Sequence, residues 1–350
     1  MHWTVVAPFN QKYTDSDWLS PYVPRDRHEF TFIPRPGQDV NWHLKKVPIT
    51  TRKEWLGYWQ QTSEALAERQ ERQGGIVTVF PQLSALVALR KRFGSEHFPI
   101  VSWWFNTLGY TGIKQRLAQW SFQAVDRFVV HTRSEAEYYS QWLGLPKERF
   151  EFVPLQKAEM PRLYQEEQEN PFLFATGSGY RDYGTFFEAV EKLNLPTIVA
   201  PGRHAVAGLT IPSQVDLRFE ITRPEIYRCN QQARINVIPM STQGATAGTV
   251  TIVEAMRMGC AIIATRRSGV EDYIEHGKTG LLVEPYSTSA LTDAIDQLWN
   301  DAELRNQLGK AAYQFAAENC SDEAAGANLS RILSSIEGEK SRSRFACQPV

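Results

Sequence analysis

Short apolar runs alternate with amphipathic stretches along the chain. In the first half, residues 76–80 and 99–105 have the length and the β-branched and aromatic content of buried strands. Residues 52–73 and 83–93 have apolar side chains at the spacing of one helix face. Because strands and helices alternate, the sequence predicts an α/β fold with a parallel, doubly wound sheet.

The same alternation returns after residue 170. Strands are predicted at residues 172–175, 197–200, 217–221 and 235–239, and helices at residues 185–193, 223–233, 287–299 and 301–318. The polar, Gln- and Glu-rich stretch 155–170 separates the two halves. We therefore predict an N-terminal domain at 1–155, a linker at 156–170, a C-terminal domain at 171–334 and a tail at 335–350.

Composition supports two domains and excludes several classes of protein. The chain has 350 residues, and nine of its ten tryptophans precede residue 143. The net charge of −1 argues against nucleic acid as a partner. Four scattered cysteines without a CxxC pair argue against a disulfide framework or structural zinc. With no secretory signal and no bilayer-length apolar run, we expect a cytoplasmic protein.

The segment 244–286 has the most informative pattern. A loop of small residues, 244–248, leads into a helix that carries Glu254, and a strand at 260–265 follows. Further on, a short acidic helix is predicted to end at Glu275, before a closing strand. A helix N-terminus reached through small residues lets a diphosphate approach free backbone N–H groups. Glu254 could accept hydrogen bonds from ribose hydroxyls, or be a solvated or capping carboxylate in a plain strand–helix turn.

This order of elements resembles the nucleotide-sugar site of retaining glycosyltransferases of family 4, which have the GT-B fold. Residues 124–154, in which Ser134 and Glu137 have the spacing of a capping box, resemble the end of the first GT-B domain. The resemblance implies two Rossmann-like domains that face a cleft, with the acceptor in the first and the nucleotide-sugar in the second. It also implies a tail that packs back on the N-terminal domain.

Carried over by position, the resemblance implies a set of donor-binding residues: Gly179, Arg181, Thr246, Ala247, Gly248, Thr249, Val250 and Glu254. Arg181 is also expected to stabilise the leaving diphosphate, although it could instead be a surface arginine paired with Asp182. The chain departs from the family twice, because Thr246 stands where relatives have an acid and Tyr183 where they often have a lysine. Arg266 and Arg267 are expected in a solvated loop.

The acceptor side is predicted from residues at strand ends, where ligands of open α/β sheets bind, and from an acidic triplet in the first loop. The candidates are Asp15, Trp104, Asn106 and His131. Asn106 is also a candidate catalytic residue, through a hydrogen bond to a sugar hydroxyl, or it is a turn residue. His131 is either catalytic or structural. The triplet formed by residues 15–17 is a weak cation site, so no metal is predicted.

The segment 42–59 interleaves Trp with Lys and Arg. Such a segment can lie at a bilayer surface, stack on sugar rings or on the bases of RNA, or form a partly buried helix with a solvated basic rim. We therefore keep open a lipid-linked acceptor and a peripheral position at the inner face of a membrane.

The predicted function is hexose transfer from a nucleoside-diphosphate sugar to a lipid, sugar or small molecule. The resemblance implies a front-face retaining mechanism in which the leaving phosphate oxygen takes the acceptor proton. No metal or cofactor is expected besides the donor substrate. Two alternatives stay open: another GT-B enzyme, such as a sugar phosphorylase or nucleotide-sugar epimerase, and a degenerate, non-catalytic GT-B subunit.

Overall fold

The computed structural model describes residues 1–8, 18–24, 26–35, 51–107, 111–242 and 248–346. The chain divides into two compact units. Unit 1 consists of Met1–Val153 with Ala325–Val350, and unit 2 consists of Pro154–Ala324. Each unit is built around one parallel sheet of six strands. The predicted α/β fold with two doubly wound sheets is confirmed.

Unit 1 contains six strands and five α-helices among the described residues. They are β1 (His2–Val6), β2 (Glu29–Ile33), α1 (Arg52–Arg72), β3 (Gly75–Val79), α2 (Pro81–Phe93), β4 (Ile100–Trp103), α3 (Ile113–Phe122), β5 (Arg127–Val130), α4 (Arg133–Leu143), β6 (Phe150–Phe152) and, at the end of the chain, α10 (Asp322–Ala346). The strand order is β2-β1-β3-β4-β5-β6, and all pairs are parallel.

The sheet of unit 1 is covered on both faces, as a parallel sheet requires. On one face, Val6, Ile76 and Phe128 pack with residues of α1, α2, α3 and α4. On the other face, Trp3 and Val77 pack with the apolar side of α10, namely Ala325, Leu329, Ile332, Leu333 and Ile336. The final helix is therefore part of the core of unit 1.

Unit 2 repeats the pattern with six strands and five helices among its described residues. They are β7 (Leu173–Thr176), α5 (Tyr183–Leu193), β8 (Thr197–Ala200), β9 (Val215–Leu217), α6 (Arg223–Gln232), β10 (Ile235–Ile238), α7 (Thr249–Arg257), β11 (Ile262–Thr265), β12 (Leu281–Val283), α8 (Thr288–Asn300) and α9 (Ala302–Asn319). The order is β12-β11-β10-β7-β8-β9, again all parallel.

The division into units departs from the predicted boundaries at two places. Residues 156–170, predicted as a linker, pack as part of unit 2, where Glu166 pairs with Arg234 and Arg305. Residues 325–334, predicted in the C-terminal domain, belong to unit 1, because the apolar face of α10 covers its sheet.

Three local predictions were wrong. The capping box of α4 is formed by Thr132 and Glu135, because Thr132 is the last residue with extended backbone before the helix. The strand predicted at 217–221 ends at Leu217, next to the end of β8, with which it pairs, at Ala200. The acidic helix predicted before Glu275 is a series of turns between two left-handed glycines, Gly269 and Gly277.

Candidate functional site

The strand order of unit 2 reverses between β7 and β10. From β7 the chain proceeds outward through β8 and β9, and then returns to β10 on the other side of β7. Loops that leave the carboxyl ends of two such strands diverge, and ligands of open α/β sheets bind in the crevice between them. In unit 2 these loops lead to Arg181 and to the N-terminus of α7.

The guanidinium of Arg181 lies in this crevice and is held by neutral groups. Its Nε donates to the carbonyl oxygen of Thr176 at 3.1 Å, and Nη1 donates to that of Gly179 at 3.0 Å. Its Nη2 donates to Oγ1 of Thr251, in the first turn of α7, at 3.0 Å. The arginine therefore joins the glycine-rich turn after β7 to the start of α7.

Among the described residues, no carboxylate lies within ion-pair distance of Arg181. The alternative of an Arg181–Asp182 pair is not found there, because Asp182 instead accepts from the backbone N–H of Thr185 at 3.2 Å and caps α5. Burial lowers the pKa of Arg181, and the positive charge of Arg267 lowers it further. A half-buried cation without a counter-ion is a ready partner for an anion.

Glycine is required at the start of α7 for two reasons. Gly248 has φ +91°, a left-handed conformation, and a Cβ there would overlap Sδ of Met240. The same Cβ would lie 3.7 Å from Nη1 of Arg181. The absence of a side chain at Gly248 therefore lets the N-terminus of α7, the positive end of the helix dipole, lie beside the guanidinium.

Glu254 lies further along α7 and is only 5% exposed. Its Oε1 accepts from Nζ of Lys157 at 2.6 Å and from Nη1 of Arg223 at 2.8 Å. The hydroxyl of Tyr227 also approaches this oxygen, at 3.4 Å. Glu254 is thus neither solvated nor a helix cap, but a buried carboxylate held by two cations.

Lys157, Arg223 and Tyr227 were not predicted as site residues. Lys157 stands in the stretch that was interpreted as a linker, and Arg223 begins α6. They lie 97 and 31 residues from Glu254 along the chain. No local spacing in the sequence signals such pairs.

The other predicted donor residues lie near Arg181 or outside the described part of the chain. Gly179 is exposed in the turn after β7, and Thr249 and Val250 form the first turn of α7. Tyr183, at the position of the family's lysine, is buried and donates to the carbonyl oxygen of Gly177 at 2.7 Å. Thr246 and Ala247 lie outside the described residues.

In unit 1, the predicted acceptor residues follow β4 and β5. The rings of Trp104 and His131 meet edge to face at 6.0 Å, and Phe80, after β3, meets Trp104 at 5.3 Å. Asn106 is exposed just beyond Trp104. Asp15 lies outside the described residues.

His131 is held as a neutral ring. Its Nδ1 lies 2.8 Å from the carbonyl oxygen of Val153, so Nδ1 carries the proton and donates it. Burial lowers the pKa of His131 to about 4. At neutral pH the ring therefore has its lone pair on Nε2.

Two bulky residues at this edge have unusual backbones. Trp104 has φ +56°, and Phe80 has φ +75° with ψ 146°, a region that glycine normally occupies. Such strain is maintained by the packing around it and is common at binding sites.

No group of three His, Cys, Asp or Glu side chains in the described part of the chain is placed to hold a metal ion.

The two parallel six-stranded sheets with flanking helices have the GT-B architecture. The structure is similar to a glycosyltransferase from Rickettsia africae ESF-5, with 12% identity, a TM-score of 0.67, and 96% of this chain and 98% of that chain covered. It is also similar to HepE from Anabaena, solved in complex with UDP, with 15% identity, a TM-score of 0.68, and coverage of 96% and 100%. The predicted GT-B fold is confirmed.

Comparison of the sequence with protein families adds to the structural similarity. Residues 203–315 match the family described as Glycosyl transferases group 1, so a domain of this group is present. One relative is alpha-D-kanosaminyltransferase of Streptomyces kanamyceticus, 36% identical over 87 residues, which cover 25% of this chain and 22% of the relative. D-Inositol 3-phosphate glycosyltransferase of Pseudarthrobacter chlorophenolicus is 34% identical over 110 residues, with coverage of 31% and 26%. The matched segments span about a quarter of these relatives.

Proposed function

We propose that this protein is a retaining glycosyltransferase that moves a hexose from a nucleoside-diphosphate sugar to an acceptor. One observation carries the proposal. Arg181, which has no counter-ion among the described residues, lies beside the N-terminus of α7 at the carboxyl edge of the sheet of unit 2. Two positive groups that converge on one point suit the two negative charges of a diphosphate.

The rest of the donor is accommodated along α7. Since Lys157, Arg223 and Tyr227 all approach Oε1 of Glu254, its Oε2 is the oxygen that accepts from the ribose hydroxyls. The two cations fix the rotamer of the carboxylate, so that little side-chain entropy is lost on binding.

The chemical step places negative charge on the leaving diphosphate. Arg181 and the helix N-terminus stabilise that charge in a site already organised for it, which is the largest contribution in many enzymes. The leaving phosphate oxygen takes the proton of the acceptor hydroxyl, which attacks from the same face of the sugar. Asn106 hydrogen-bonds a sugar hydroxyl, and no protein base is needed. In this proposal the reaction needs no metal, so a chelator leaves the rate unchanged.

A thermal-unfolding screen with UDP, GDP and ADP tests nucleotide binding. UDP is the first choice, since HepE, a structural neighbour, was solved with it. A nucleotide at 100 times its Kd stabilises the fold by about 2.7 kcal/mol. In Glu254→Gln, which removes a charge-assisted hydrogen bond, we expect the Kd to rise by a factor of about 10 to 100.

The matched control is Glu284→Gln, an exposed carboxylate paired with Arg266 in the same unit. It should bind nucleotide like the wild type. An equal change of nucleotide Kd in both variants would contradict the assignment of Glu254 to the nucleotide site. Failure of the wild type to bind any nucleoside diphosphate would favour a non-catalytic subunit. Release of sugar that depends on phosphate, or epimerisation without acceptor, would identify another GT-B reaction.

We propose the cytoplasm as the location. The three cysteines within the described residues, Cys229, Cys260 and Cys320, are free and buried, which suits a reducing compartment.

A further inference from the structure

Helices α2 and α3 share a surface that contains none of the predicted donor and acceptor residues. Phe93 at the end of α2 is 77% exposed, and on α3 Ile113 is 77% and Leu117 is 60% exposed. Leu56, near the start of α1, is exposed as well. We call this surface, formed by α2, α3 and the first two turns of α1, the α2–α3 face. Large apolar side chains grouped on one surface indicate a binding partner.

A groove of about 490 Å³ runs through this face. Apolar groups from all three helices line it, among them Trp55, Ala85, Leu86, Leu89, Leu117 and Phe122. The groove therefore suits a hydrocarbon chain.

The charge around the groove has one sign. Helices α2 and α3 contain Arg90, Lys91, Arg92, Lys114 and Arg116, and neither helix has an Asp or Glu. Lys91 is neutralised by Asp126, at 3.0 Å, which leaves four cations on these two helices. At the start of α1, Arg52 and Lys53 are exposed, whereas Glu54 is buried and caps the helix.

Two of these cations lie against tryptophan rings. Arg90 lies over Trp59, with Cζ at 3.6 Å from the ring centroid, and Arg92 lies over Trp120 at 4.5 Å. Trp side chains beside Arg and Lys are typical of the boundary between headgroups and acyl chains. The centres of protein–protein interfaces, in contrast, are depleted in lysine and charge.

We propose that the α2–α3 face docks on the surface of a bilayer that contains anionic phospholipids. Ile113, Leu117 and Phe93 enter the headgroup–acyl boundary, an acyl chain occupies the groove, and the cations contact lipid phosphates. Docking is peripheral. No helix within the described residues is long and apolar enough to cross a membrane.

The experiment is flotation of the full chain with vesicles of phosphatidylcholine mixed with phosphatidylglycerol, and with vesicles of phosphatidylcholine alone. The wild type should bind the anionic vesicles and lose affinity as salt is raised. No binding to either vesicle, or equal binding to both, overturns the proposal.

Paired variants test the two components of the face. Lys114→Glu with Arg116→Glu should weaken binding by at least about 30-fold, since each cation near the surface contributes about fivefold. The control, Lys192→Glu with Lys310→Glu, makes the same change of charge in unit 2 and should leave vesicle binding unchanged.

A second pair of variants tests the apolar side chains. Ile113→Ser with Leu117→Ser should weaken vesicle binding by at least about tenfold. Leu163→Ser, at an exposed leucine of unit 2, is the control. Equal losses in the controls overturn the assignment.

Fluorescence quenching tests the same face in the wild-type protein, so the result does not depend on whether a variant folds. Lipids with brominated acyl chains should quench tryptophan fluorescence, because Trp55, Trp59 and Trp120 lie on this face. If the bound protein shows no quenching, the α2–α3 face is not the surface that contacts the lipid, and the proposal is overturned. Self-association that is lost in Ile113→Ser with Leu117→Ser would instead identify a second copy of the chain as the occupant.

Discussion

The carboxyl edges of the two sheets differ in what they offer a ligand. At the edge of unit 2, glycine backbones lie beside an arginine without a carboxylate partner among the described residues. At the edge of unit 1, the strands end in rings, those of Phe80, Trp104 and the neutral His131. One edge attracts charge and admits backbone contact, whereas the other presents aromatic surface. The same sheet architecture thus provides two different kinds of site.

The largest effect is expected from removing the charge at the edge of unit 2. Arg181→Gln should lower kcat for transfer by a factor of about 100 to 1,000, the usual result of removing one donor that stabilises developing charge. Arg266→Gln is the matched control, because Arg266 already pairs with Glu271 and Glu284. Steady-state kinetics with saturating donor measure both. A loss of rate in Arg266→Gln as large as in Arg181→Gln would remove the contrast between the two arginines.

Adding one carbon to the edge of unit 2 should also have a clear effect. In Gly248→Ala, the new Cβ both strains a left-handed backbone and overlaps the side chain of Met240, next to Arg181. We expect a loss of about 2 to 3 kcal/mol in the free energy of unfolding, with weaker nucleotide binding. Gly277→Ala isolates the backbone strain, since Gly277 has φ +77° with open space around it, and should lose about 1 kcal/mol. Similar losses in the two variants would show that crowding by Met240 is unimportant.

The smallest effect concerns the neutral ring in unit 1. The folded pKa of His131, about 4, is below the unfolded value of 6.5, so between these values the unfolded chain binds more protons. His131 therefore destabilises the fold as the pH falls from 6.5 toward 4. His131→Gln should reduce the loss of stability between pH 7 and pH 5 by on the order of 1 kcal/mol, with solvent screening taken into account. Urea unfolding at each pH measures it, with exposed His97→Gln as the control. An unchanged pH slope would mean that His131 binds its proton equally well in the folded and the unfolded chain.

The same contrast explains how much could be predicted from the sequence. The crevice of unit 2 was predictable, because small residues before a helix and an arginine after a strand are local patterns with a physical meaning. Its carboxylate, Glu254, was predicted, but Lys157 and Arg223 were not, since ion pairs between distant segments leave no local pattern.

Unit 1 was predictable in its strands and helices but less so in its edge. Aromatic residues after buried strands belong to a core more often than to a site, and the sequence does not distinguish the two. The backbone of Phe80, which holds its ring beside Trp104, has a conformation that propensity would assign to glycine. Tertiary packing determines this backbone conformation. The turns at 268–273 were predicted as a helix for a related reason, because an acidic, periodic stretch between two glycines is too short to form one.

The place of α10 in the core of unit 1 has a consequence for synthesis on the ribosome. Unit 2 is one uninterrupted stretch of chain, Pro154–Ala324. Unit 1 begins with the strand that contains Trp3, yet the helix that covers this residue is translated after the whole of unit 2. Since domains fold as units during translation, the apolar face around Trp3 has no native cover while unit 2 is being made. Unit 1 is therefore translated on both sides of unit 2, and its core is completed only after unit 2 has been made.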